Sequence, residues 1–118
     1  MAIQEIAVRL VELSRQGQYE TAQRELFADD AVSNEPAHSP GGQSVKGLEA
    51  IVAKGLQFQS MIEEIHSAEV SEPVVAGNFF SIASSLDVTL KGIGKQSMKE
   101  IIVYGVKDGK IVSEQFFY

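Results

Sequence analysis

Near the start of the chain, Ile3, Ile6, Ala7, Leu10, Leu13 and Ser14 recur at the i, i+3, i+4, i+7 spacing of one buried helix face. Gly17 stands where such a helix ends, since glycine accepts the left-handed backbone a helix terminus needs. The pattern resumes at Tyr19 and predicts a second, shorter helix with Tyr19, Ala22, Leu26 and Phe27 turned inward. Residues 31–35 are too few for another helix and predict a brief extended segment, and Pro36, Pro40, Gly41 and Gly42 then predict a loop. From Gly47 a third helix is expected, with Leu48, Ile51, Val52, Phe58, Met61 and Ile62 as its apolar face. Gly55 inside it costs about 1 kcal/mol relative to alanine, so a close packing contact is expected there.

The second half alternates instead. Residues 66–76, 79–91, 96–107 and 110–118 predict four strands, separated by Gly77-Asn78, the Gly92/Gly94 pair and Asp108-Gly109. Each separator carries the residues that tight hairpins select. Helices followed by a meander imply an α+β layer fold, and the 118 residues suit one domain spanning 1–118.

Composition narrows the function classes. Hydrophobic residues make up 44% and charged residues 22%, as in a soluble globular protein. The net charge of −6 and the scattered basic residues argue against a nucleic-acid partner, which requires clustered Lys and Arg. With no cysteine there is no disulfide framework and no thiolate chemistry. Polar residues interrupt "MAIQEIAVRLVELSRQ" every few positions, which fits neither a signal peptide nor a membrane span, so a cytoplasmic protein is expected.

Two stretches are more specific: "LFADDAVSNEP", which ends in the acid-proline pair Glu35-Pro36, and the terminal "VKDGKIVSEQFFY". With the order of elements around them, the chain resembles the nuclear transport factor 2-like superfamily, in its SnoaL-like branch, over nearly its whole length. The resemblance implies a cone-shaped α+β barrel. Three N-terminal helices would pack in a strongly curved antiparallel sheet of four main strands plus a short one, around a cavity and often in a homodimer. It also bears on Glu35. In the ketosteroid isomerases of this superfamily, the acid at the matching place is the base that moves a proton. Their oxyanion donors, a tyrosine on the first helix and a protonated aspartate on the third strand, correspond here to Leu10 and Ile102. Neither side chain can donate, and oxyanion stabilisation is often the largest catalytic contribution. Steroid isomerisation itself is therefore not expected.

Strand alternation sorts the remaining candidates. On the third long strand Met98, Glu100, Ile102 and Tyr104 share the bulkier face and are assigned to the concave interior. A two-residue loop at Asp108-Gly109 would set Tyr104 opposite Ser113. A type I turn with Gly109 as a bulge residue would instead set Ile102 opposite Glu114 and bring Val112, Glu114, Phe116 and Tyr118 inside. The second register gathers the aromatic residues and is preferred. It makes Glu100 and Glu114 diagonal neighbours, and two acids facing one cavity raise each other's proton affinity. His66 has the parity of Ala68 and Val70, so if that face points inward its imidazole joins the same space. A polar cluster of Glu35, His66, Glu100 and Glu114 among Phe, Tyr and Met is the candidate site.

Plainer roles stand beside these. Glu35 could cap a helix or sit in a solvated loop, and Glu100 could pair with Lys99 or Arg24. Tyr104 and Tyr118 could be ordinary packing, and His38 a surface residue. Asp29 and Asp30 are read as turn residues. No Gly-rich phosphate cradle appears, two histidines at this spacing do not suggest a metal site, and no cofactor is expected.

Three functions remain open. The first is a domain that binds a small hydrophobic or carbonyl-containing molecule in an apolar pocket carrying a few acids. The second is an acid/base enzyme of isomerase, cyclase or dehydratase type, with Glu35 and His66 as its catalytic groups. The third is a dimeric interaction module with a filled core. Self-association is expected through the small, polar face of Ser81, Ala83, Ser85, Asp87 and Thr89.

Overall fold

The first helix, α1 (Ile3–Arg15), buries Ile6, Ala7, Leu10, Val11 and Leu13, the stripe its spacing predicts. In this computed structural model, which describes residues 1–39 and 44–118, the Glu5 carboxylate accepts the Ala2 N–H at 3.0 Å and caps its start. Gly17 ends it at φ +73°, which lets the Gln18 N–H reach back to the Leu13 carbonyl at 2.9 Å. A second helix, α2 (Tyr19–Leu26), buries Ala22 and Leu26, and α3 (Leu48–Ser60) buries Leu48, Ile51 and Val52. Gly55 of α3 faces the Gln23 side chain of α2, where a β-carbon would stand 3.7 Å from its amide nitrogen. Of the predicted loop residues, Pro40, Gly41 and Gly42 lie outside the described residues.

The strands are β1 (Phe27–Asn34), β2 (Val45–Lys46), β3 (Ile62–Val70), β4 (Val74–Ala76), β5 (Phe79–Leu90), β6 (Gly94–Lys107) and β7 (Lys110–Phe117). They form one curved, open sheet in the order β2-β1-β7-β6-β5-β3, with β4 also paired to β5. The helices lie on its concave face over a core that includes Phe80, Ile82, Ile102, Tyr104 and Ile111. Phe80 stacks on Tyr104 with ring centroids 4.8 Å apart.

Three features differ from the sequence reading. The extended segment begins at Phe27, directly after α2, so Asp29 and Asp30 are exposed strand residues rather than turn residues. They fall where the β1–β7 pairing shifts register, which accommodates their outward side chains. That pairing is parallel, so the sheet is mixed rather than wholly antiparallel. The strand expected over 66–76 starts earlier, at Ile62, and is divided before β4 (Val74–Ala76), with Pro73 in the break, because proline has no N–H to give to a ladder.

Candidate functional site

Along β1, Ala31 and Ser33 are buried on one face, and Glu35 continues their parity just past the strand's end. Beside β1, β7 presents Glu114 as the pairing partner of Ser33. How Glu114 comes to face inward corrects the predicted hairpin. Lys107 pairs with Lys110 across a two-residue turn in which Asp108 and Gly109 both have positive φ, 52° and 76°. A β-bulge at Val112 then shifts the register, so Glu114 opposes Tyr104 and Phe116 opposes Ile102. The grouping of Glu114 and Phe116 with Tyr104 and Ile102 holds, but the bulge lies in the strand and not in the turn. Glu100 is consequently one pair-step farther from Glu114 than the diagonal contact predicted.

The polar groups form a connected chain. Ser33 Oγ donates to Glu114 Oε1 at 2.8 Å, and Lys54 Nζ donates to Ser33 Oγ at 3.0 Å and to Glu35 Oε1 at 3.1 Å. Tyr118 donates its hydroxyl to Glu35 Oε2 at 2.7 Å and accepts from Ser39 Oγ at 2.6 Å. The Lys54 ammonium also stands 5.4 Å from the centroid of the Phe116 ring. His38 is exposed and packs edge-on to the Tyr118 ring.

Burial sets the electrostatics. Desolvation pushes the Glu100 carboxyl up to about 7, with the charges of Glu35 and Glu114 adding to it and Lys54 opposing. Burial also lifts Glu114 to about 7, against the Ser33 hydrogen bond and the Lys54 charge, while Glu35 pushes the same way as burial. The Tyr104 phenol is held well above its ordinary range by burial and by Glu114 and Glu100. Glu100 also raises Tyr19 and Tyr118, in each case behind burial as the main cause, so all three tyrosines of the chain lie within its electrostatic reach.

Two of these groups open onto accessible space. Glu114 and Tyr104 are each only 5% exposed, yet the second Glu114 oxygen and the Tyr104 hydroxyl have no partner among the described residues. No side-chain oxygen among those residues is both sealed from solvent and unpartnered. Both atoms must therefore touch space that a ligand or solvent can enter.

The other candidates are placed as follows. Ile102 is buried beneath this space, Phe116 is half-buried beside Lys54, and Met98 is 38% exposed farther along β6. His66 does not join the cluster. The β3–β5 ladder shifts register between Ile65 and Ser67, so His66 is the extra residue and turns to the outer face. There its Nε2 meets the Thr89 hydroxyl at 2.7 Å, and Nδ1 stands 3.8 Å from Glu64. Arg24 pairs with Glu20 and Glu49 rather than with Glu100. A depression of about 240 Å³ is lined by Ala83, Ser84, Lys99, Glu100, Ile101 and Phe117, so Glu100 borders this space too.

Lys54 and Ser33 were absent from the sequence reading, although both carried a signal. Lys54 follows Ile51 by one helical step on the inward side of α3, and Ser33 alternates with Ala31.

Residues 1–118 match the family model described as the SnoaL-like domain. A Mesorhizobium loti protein described as a candidate SnoaL-like polyketide cyclase, with carbohydrate phosphatase in brackets, is 37% identical, and each chain covers 100% of the other at a TM-score of 0.91. A nuclear transport factor 2-like protein of Burkholderia thailandensis is 19% identical over 97% of this chain and 88% of its own, with a TM-score of 0.79. A Catenulispora acidiphila protein with a ketosteroid isomerase-like fold, in complex with trimethylamine, is 23% identical over 97% and 85%, with a TM-score of 0.74. Those two likenesses show the fold alone. No curated protein sequence matches significantly.

Proposed function

Since the chain belongs to the SnoaL-like domain family, whose members bind small molecules and sometimes catalyse, we propose that it binds a small molecule on the concave face of its sheet. The observation that carries this reading is the pair of inward polar atoms, Tyr104 Oη and the second Glu114 oxygen, buried with their residues yet unpartnered. Both atoms reach accessible space, so water or a ligand can supply their partners. A ligand that replaces water there must reproduce those hydrogen bonds, which fixes where its polar groups lie. Ile102 and Phe116 give the site apolar walls, and a few placed polar groups among such walls fix a ligand's orientation. Lys54 holds Glu35 and Ser33 in place, so the polar floor is organised before anything binds.

A screen of small apolar compounds bearing carbonyl, amine or carboxylate groups, followed by methyl NMR, tests this. Bound compounds should shift the Ile102 and Met98 methyl signals. Hits that shift only the outer-face methyl of Ala83 would overturn the proposal.

A second reading is favoured by one further fact: carboxyls near pKa 7 lie in the same cluster as Glu35. Glu35 can accept a proton while Glu100 or Glu114 supplies one, the division of labour acid/base catalysis needs. Leu10 and Ile102 provide no oxyanion donor, whereas Lys54 can neutralise developing negative charge. Glu35→Gln separates the readings, since it leaves binding intact and abolishes turnover only if Glu35 moves a proton.

A further inference from the structure

Both oxygens of the Glu35 carboxylate are taken by donors from within the chain. Lys54 Nζ reaches Oε1 at 3.1 Å, and the Tyr118 hydroxyl reaches Oε2 at 2.7 Å. The two donors are held very differently. Lys54 lies on α3, where it also bonds Ser33 and stands over the Phe116 ring. Tyr118 lies beyond the last β6–β7 pair, Ile101 with Phe117, and is 46% exposed. Among the described residues, its hydroxyl bonds and an edge-on contact with the exposed His38 ring hold it in place. The Glu35 side chain itself is 12% exposed, so the group at the Tyr118 position governs access to Oε2.

The Tyr118 hydroxyl makes two bonds of opposite sense. An ionised carboxylate beside an ammonium can only accept, so the one phenolic proton goes to Glu35. The Ser39 hydroxyl, 2.6 Å away, must then donate to the phenolic oxygen. A group that replaces Tyr118 here needs a donor for Glu35 and an acceptor for Ser39 on the same atom. A hydroxyl meets that requirement. An ammonium has no acceptor, and a carbonyl or ether oxygen has no donor. A carboxylate would set like charge against Glu35.

We propose that Glu35 Oε2 and Ser39 Oγ form a hydroxyl-binding subsite at the rim of the concave face, closed by Tyr118 until a phenol or alcohol displaces it. The entering hydroxyl takes over both hydrogen bonds, and its apolar body replaces the Tyr118 ring beside His38. Because one hydroxyl is exchanged for another, no hydrogen bond is lost at Glu35 or Ser39. The released Tyr118 side chain regains rotamer freedom, which offsets part of the cost of ordering the ligand. This inference rests on the binding reading above and adds to it a chemical class and a displaceable residue.

Probes of one shape test the inference: p-cresol, which donates and accepts, p-methylanisole, which only accepts, and toluene, which does neither. Each is titrated by NMR and followed through the amide signals of Glu35 and Ser39 and the ring signals of Tyr118. The phenol should bind about tenfold or more tightly than the other two, the scale of one hydrogen bond to a charged group. Its titration should move the Tyr118 ring signals toward those of a solvated tyrosine. Tyr118→Ala removes the competing hydroxyl and should raise the affinity for p-cresol about fivefold or more. Glu35→Ala removes the acceptor and should level the probes. Equal affinities in the unaltered protein, or an unchanged affinity for p-cresol in Tyr118→Ala, overturn the subsite. Shifts confined to the Ile102 and Met98 methyls also overturn it, while leaving the binding reading standing. No shift at either set of signals overturns the subsite, and the binding reading then rests on the compound screen above.

Discussion

Ser33 and Glu114 sit opposite each other in the parallel β1–β7 pair, and Ser33 donates to the Glu114 carboxyl across it at 2.8 Å with both side chains buried. This contact fixes one oxygen of an acid that is otherwise costly to hold inside. It also links the acid to Lys54 and, through Lys54, to Glu35. The cluster is thus tied to three elements, β1, β7 and α3, and any change in its charge is felt as a change in stability.

The first prediction is the pH dependence of that stability. Glu100 and Glu114 each have a folded-state pKa of about 7 against an ordinary value of 4.5, so the folded protein binds more protons than the unfolded chain between those values. Their contribution is fully present below the ordinary value and is lost as pH rises through about 7. Glu25, Glu49 and Asp87 are held low by their partners, so their opposite effect falls below this window. Urea unfolding should show a loss on the order of 3 kcal/mol from pH 5 to pH 8. Glu114→Gln should flatten that slope and be more stable than the unaltered protein at pH 8. A flat profile in the unaltered protein would mean that neither acid is held as described.

Removing the cation should do the reverse. Lys54 lowers the proton affinity of both Glu100 and Glu114. Lys54→Met keeps the packing against Phe116 and leaves three carboxyls without their ammonium. Carboxyl NMR titration should then place Glu100 and Glu114 above their present values. The variant should lose roughly 1–3 kcal/mol at pH 8 and less at pH 5, where the acids are protonated. Equal losses at both values would mean that Lys54 contributes packing alone.

How far the chain announces this arrangement depends on whether spacing alone carries the information. Helix positions such as Ile6 and Leu10, and alternation such as Ile102 and Tyr104, are periodic, and the structure follows them. The parallel β1–β7 pairing is a long-range choice that no local pattern encodes, so the partnership of Ser33 with Glu114 was hidden. Bulges defeat parity as well. One extra residue at Val112 turns Glu114 inward, and another at His66 turns the imidazole outward. The sequence reading reached the right face for Glu114 through the wrong turn geometry. For His66, the same parity argument failed.

The position of His66 makes a prediction that separates the two sheet faces. Its imidazole bonds Thr89 on the outer surface, and that contact is unrelated to Glu35, Glu100 or Glu114. His66→Ala should therefore leave the carboxyl titrations of Glu100 and Glu114 unchanged. A displaced titration of Glu100 in this variant would show that the imidazole reaches the cluster after all.

The outer face carries the last prediction. Strand pairing aligns Ala83, Ile101 and Phe117 in one row, with Val103 in the next row on that face and Phe79 in the row beyond it. Phe79, Ile101 and Phe117 are 56%, 46% and 52% exposed, so three large apolar side chains face outward on this side of the sheet. Gly105 leaves room beside them, since a β-carbon there would lie 3.4 Å from the Phe79 ring and 2.6 Å from Ser113 Oγ. Contiguous apolar surface of this kind marks an association site more often than plain solvent exposure, and a flat sheet face is suited to a second copy of the same chain. Sedimentation at about 100 µM should accordingly give a dimer, on the scale of a standard interface. Ile101→Lys with Phe117→Lys should convert it to a monomer with unchanged far-UV circular dichroism, because both side chains already face outward. If the unaltered protein sediments as a monomer at that concentration, the apolar row serves something other than self-association.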